Sequence, residues 1–156
     1  MIDNKIRLKT NRATIESLIE NNEILKNSIW FKYLTLEAKR YCYDTSKPKT
    51  INEGEILYPR KDSNKLYFII SGEFYILFKK NNSQKLIKVL SAGDFFSIRK
   101  DFENLLIYPK KRSLVFVLEK EELFKTFSYS PQSKKLLKDF FVEIATQLQT
   151  LNNLNK

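Results

Sequence analysis

Lys65-Leu66-Tyr67-Phe68-Ile69-Ile70 and Phe74-Tyr75-Ile76-Leu77-Phe78, parted by Ser71-Gly72-Glu73, are the stretch from which the architecture follows. Each run is too short for a helix and is rich in Ile, Tyr and Phe, which suit a pleated, half-buried surface. Gly72 marks the change of direction, because glycine takes φ > 0 without a Cβ clash. The pattern is strand, turn, strand.

Runs of the same kind continue on both sides. Thr50-Ile51 and Glu55-Ile56-Leu57-Tyr58 precede it; Lys85-Leu86-Ile87-Lys88-Val89-Leu90, Asn104-Leu105-Leu106-Ile107-Tyr108 and Ser113-Leu114-Val115-Phe116-Val117-Leu118 follow. Turn residues separate them at Glu53-Gly54, Asp62-Ser63-Asn64, Asn81-Asn82-Ser83 and Ala92-Gly93-Asp94. Many short strands at such spacing predict a sandwich or barrel. The most polar stretch, residues 79–85, is expected to be an exposed hairpin loop.

Helical periodicity flanks the strands. Ile15, Leu18, Ile19, Ile24, Leu25, Ile29, Trp30 and Leu34 recur at three- and four-residue spacing. Thr35 is a suitable N-cap for a further helix. Lys5, Arg7, Lys9 and Arg12 form a basic arm, expected to be solvated. At the other end, Ser130-Pro131 fits a helix start with proline at the first position. Leu137, Phe141, Ile144, Leu148 and Leu151 then form a heptad seam that Phe140 and Leu154 widen. The seam can cover its own barrel or pair with a second copy, and its reach towards the C-terminus favours the pair. The expected organisation is one domain: a helical segment (1–44), a β-barrel (45–128) and a dimerisation helix (129–156).

Composition excludes much chemistry. The 156 residues contain no histidine, one cysteine and three glycines. This removes His-based general bases, Ser-His and Cys-His nucleophile pairs, internal disulfides, Cys-rich zinc sites and Walker-type loops. No catalytic residue and no metal site is assigned. Cys42, between Tyr41 and Tyr43, reads as a small buried hydrophobe. No apolar run approaches the ~20 residues of a membrane span. The N-terminus has no apolar stretch of signal-peptide length, so a cytoplasmic address is expected. The net charge is +10. It rests on Lys far more than Arg, alongside abundant Asn, Ile and Phe, a mix that AT-rich coding produces without a polyanionic partner. Base readout leans on Arg, so direct nucleic-acid recognition is not expected.

Three motifs in order resemble the cyclic-nucleotide-binding domain family: Ile51-Asn52-Glu53-Gly54-Glu55-Ile56-Leu57-Tyr58, Leu66-Tyr67-Phe68-Ile69-Ile70-Ser71-Gly72-Glu73 and Leu90-Ser91-Ala92-Gly93-Asp94-Phe95-Phe96. All three glycines fall where that family places turn glycines, and the resemblance covers about residues 25 to 155. It implies a jelly-roll barrel with N-terminal helices and a long C-terminal dimer helix. It also implies a cyclic nucleotide as ligand class, and no other cofactor. In the family, Phe-Gly-Glu after the Gly-Asp-Phe turn opens a short helix, and an Arg after a proline completes the phosphate cassette. The helix N-terminus and Arg hold the phosphate, and the Glu accepts from the ribose hydroxyl. Here Ser97 and Ile98 stand in the Gly-Glu positions, and Pro109-Lys110-Lys111-Arg112 joins two strands instead.

The ligand-binding candidates are therefore Gly72, Phe96, Ser97, Ile98, Arg99 and Lys100, around a degenerate site. Arg99 and Lys100 are the available phosphate partners, although a solvated loop charge is the simpler reading. The chain stops at Lys156, so no helix-turn-helix is expected after the long helix. The expected function is a non-enzymatic sensor or regulatory protein, acting as a homodimer on an unidentified protein partner. A ligand-free dimeric scaffold and a basic nucleic-acid-associated protein are the alternatives.

Overall fold

The computed structural model describes residues 4–59 and 64–154, and side chains within 12–59 and 64–151. Helices α1 (Asn4–Glu20), α2 (Glu23–Lys26), α3 (Ile29–Lys32) and α4 (Leu36–Thr45) come first. Each short helix begins at a residue whose side chain accepts from the first turn: Asn22, Ser28 and, as predicted, Thr35, whose hydroxyl takes the Ala38 amide at 3.2 Å. Arg12 does not join a solvated arm. It pairs with Asp44 and ties α1 to α4. Lys5, Arg7, Lys9 and Leu154, by side chain, lie outside the described residues, as do Asp62 and Ser63 entirely.

Among the described residues seven strands follow: β1 (Lys47–Ile51), β2 (Leu66–Ser71), β3 (Glu73–Lys80), β4 (Ser83–Ser91), β5 (Phe95–Ser97), β6 (Leu105–Pro109) and β7 (Ser113–Leu118). They form two antiparallel sheets, ordered β1-β7-β2-β5 and β4-β3-β6. Gly72, with φ +117°, is the point where the chain leaves the first sheet for the second. Between β3 and β4, Asn81 and Asn82 both take positive φ, giving a two-residue hairpin turn. The exposed loop expected over 79–85 is thus mostly strand. Glu55–Tyr58 supplies only a bridge, Leu57 to Ile107, because Gly54 at φ +80° and Pro59 interrupt pairing.

The first sheet is covered on both faces, which explains the unbroken apolar run of β2. Tyr67 points inward and stacks on Phe96 at 4.8 Å; Phe68 points outward and meets Phe31 edge-on at 4.5 Å. Helices α5 (Lys120–Tyr129) and α6 (Pro131–Leu154) close the chain. Ile144, 1% exposed, and Phe140, 5.6 Å from Phe95, sink into the same core. One continuous apolar cluster runs from Ile15 to Ile144.

Candidate functional site

Strand β5 sets the positions of the predicted ligand residues. Its side chains alternate across the sheet. Phe96 faces the barrel interior, fully buried between Tyr67 and Phe74. Phe95 faces the helices, between Trp30 at 5.3 Å and Phe140. Ser97 donates its hydroxyl to the Lys65 carbonyl at 2.6 Å, and Ile98 is buried. No helix opens here. Residues 99–105 make tight turns instead, the Phe102 amide donating to the Arg99 carbonyl and the Leu105 amide to the Phe102 carbonyl.

Arg99 is committed within this loop. Its guanidinium donates twice to Asp101, at 2.9 and 2.7 Å, and lies over the rings of Phe102 and Phe141. A bidentate pair of this kind fixes both partners. Lys100 points elsewhere, into a separate cleft with Tyr58 and Glu103. Gly72 lies at the sheet crossing beside Ser113. The six ligand candidates are therefore dispersed: Ser97, Ile98 and Arg99 share one wall, Phe96 belongs to the core, and Lys100 and Gly72 stand apart.

That wall borders a cleft of about 320 Å³, open to solvent between the loop, α5 and α6. Leu137 and Phe141, two residues of the heptad seam, lie on its α6 side. The seam itself divides: Ile144 is consumed by the chain's own core, while Leu137, Phe141, Leu148 and Leu151 are half-buried along its flank. The sequence reading missed the α5 side, made by Lys120, Leu123, Phe124 and Phe127, and the Lys134 and Lys138 rim. A signal was present. Lys120, Leu123, Phe124 and Phe127 are spaced i, i+3, i+4, i+7, and so are Lys134, Leu137, Lys138 and Phe141, which puts each set on one helical face.

Cys42 takes no part. It is buried against Thr126, and burial pushes its thiol up to about 12. Among the described residues, no three His, Cys, Asp or Glu side chains converge on a metal position.

No family model matches the sequence, and neither does any curated protein. Solved structures do match. The heme domain of CooA from Carboxydothermus hydrogenoformans aligns over 92% of both chains at 14% identity, with a TM-score of 0.61. The regulatory domain of Toxoplasma gondii PKA with cAMP aligns over 78% of this chain and 47% of that one at 19% identity, TM-score 0.61. The regulatory subunit of a cAMP-independent protein kinase A from Trypanosoma cruzi, bound to guanosine, aligns over 82% of this chain and 46% of that one at 14% identity, TM-score 0.65. This chain thus spans nearly all of that heme-domain chain and about half of the other two chains. The fold is that of the cyclic-nucleotide-binding domains.

Proposed function

We propose that the chain is a non-enzymatic regulatory module that senses a small ligand and relays its presence to α6. One observation carries this reading: the loop after β5 grips the C-terminal helix directly. Arg99 lies over Phe141 at 5.1 Å and Phe102 stacks on the same ring at 5.9 Å. A ligand that repositions the loop therefore repositions the helix. The neighbours lend support, since proteins of this fold are described with cAMP or guanosine bound, or as a heme domain.

The residues present fit neither of two such ligands. For a cyclic nucleotide, the positions expected to be Gly and Glu hold buried Ser97 and Ile98, and Arg99 is taken by Asp101. Among the described residues, a cyclic phosphate would meet no unpaired guanidinium at these positions, and the ribose no glutamate at position 98. For heme, the chain offers no imidazole, and its one thiol is sealed in the helical layer.

The partner proposed is a second copy, docking on the distal part of α6. Leu148 and Leu151 are half-buried there, and Val142 is 55% exposed on a neighbouring face. The cytoplasm remains the proposed address; among the described residues no helix is long and apolar enough to cross a membrane.

Hydrogen exchange along α6, with and without a bound ligand, tests the relay. The expected result is altered exchange in both α6 and residues 98–104. Saturating binding that leaves both unchanged overturns it.

A further inference from the structure

Helices α5 and α6 meet the β5 loop in a cleft whose charge and floor are both one-sided. The floor is apolar: Leu123 is buried, and Phe127, Leu137 and Phe141 are half-buried. The rim carries four cations, Arg99, Lys120, Lys134 and Lys138, and among the described residues no carboxylate lines it. Arg99 is neutralised by Asp101. Lys120, Lys134 and Lys138 make no ion pair with any described residue; Lys120 only overlies Phe124, at 5.9 Å.

This arrangement opposes the helix itself. The first turn of α6 contains no acidic residue, although the macrodipole favours negative charge there. It carries Lys134 instead, with Lys138 one turn on, a like-charged i, i+4 pair that destabilises a helix. An anion in the cleft offsets both effects. The volume suits a small molecule more than a peptide, near the lower limit for ligand pockets of roughly 300 Å³.

We infer that this cleft binds a small organic anion, an aromatic or aliphatic body bearing a carboxylate, sulfonate or phosphate. The body lies on Phe127, Leu137 and Phe141, and the anionic group meets Lys120, Lys134 and Lys138. The inference names the ligand class of the proposed sensor and rests on that reading only for the consequence to α6.

The full chain is titrated with 8-anilinonaphthalene-1-sulfonate and with its uncharged counterpart, N-phenyl-1-naphthylamine. One saturable site for the sulfonate is expected, with at least about tenfold weaker binding of the neutral probe. Lys134→Glu with Lys138→Glu should weaken the sulfonate at least about tenfold and leave the melting temperature little changed, because it puts negative charge in the first turn while a like-charged i, i+4 pair persists. Lys134→Arg with Lys138→Arg should retain binding. Non-saturating fluorescence, equal affinity for both probes or equal affinity in the Glu variant overturns the site. So does wild-type binding that weakens as protein concentration rises, which would mean that a second copy fills the cleft. Saturable, lysine-dependent binding without any change in exchange of α6 leaves the site standing and removes the relay; absence of binding removes the site alone.

Discussion

The α-carbon of Gly72 faces Ser113 so closely that a Cβ on Gly72 would stand 1.9 Å from the Ser113 hydroxyl oxygen and 2.8 Å from its α-carbon. Two costs coincide, since φ is +117° and the neighbour includes backbone. Gly72→Ala should destabilise by about 2–4 kcal/mol, lowering Tm by roughly 5–15 °C. Adding Ser113→Gly removes the side-chain clash but neither the positive φ nor the crowding against the backbone of residue 113, so rescue should be partial. Full rescue in thermal melts would show that backbone conformation plays no part.

Installing the glutamate of the resembled family should damage the protein instead of creating a site. Ile98 is 5% exposed, so Ile98→Glu buries a carboxyl group without a partner. A loss of about 3 kcal/mol or more is expected in denaturant unfolding, with no gain in cyclic AMP affinity. The wild type should bind cyclic AMP in the high micromolar range or worse, about −5 kcal/mol or weaker by calorimetry. Sub-micromolar binding would refute the account of Ser97 and Ile98.

Along α6, two substitutions should separate core from assembly. Ile144→Asp places a charge in the chain's own core and should unfold or severely destabilise the subunit, by about 3 kcal/mol or more. Leu148→Asp with Leu151→Asp alters a half-buried flank; it should keep the β signal in circular dichroism while converting the dimer to monomer in light scattering. A wild type already monomeric at micromolar concentration ends the dimer proposal.

The thiol of Cys42 gives an alkaline prediction. Its folded value is pushed up to about 12 by burial, against an unfolded value near ~8.5. The unfolded chain then ionises first, so stability is intact below about pH 8.5 and falls as pH rises from there towards 12. The slope is at most about 1.4 kcal/mol per pH unit from this group. Tyr43, also raised, mainly by burial and then by Glu20, adds to the loss at higher pH. Cys42→Ala should flatten the stability curve between about pH 9 and 11. A curve identical to wild type would sink the assignment.

The strands were legible because their apolar runs are short, β-rich and bounded by Gly or Asn. Phe95-Phe96-Ser97 escaped as a strand, since three residues have no measurable period. The cleft escaped for a different reason. Leu123, Phe127, Leu137 and Phe141 have the spacing of ordinary core residues, and only the docking of α5 against α6 leaves their faces incompletely covered. The seam was ambiguous on the same physical ground: Ile144 and Leu148 lie on one helical stripe whether that stripe meets a barrel or another chain.

The pairing of β1 with β7 bears on how the molecule is made. Lys47 sits opposite Val117, about 70 residues later, so the first strand to be synthesised waits for the last. At ~5–20 residues per second, translation leaves β1 unpartnered for roughly 4–14 s, with Leu66–Ile70 emerging meanwhile and also lacking β7. The barrel cannot close until Leu118 has been synthesised, so through this interval the unpaired edges of β1 and β2 are open to aggregation and to chaperones.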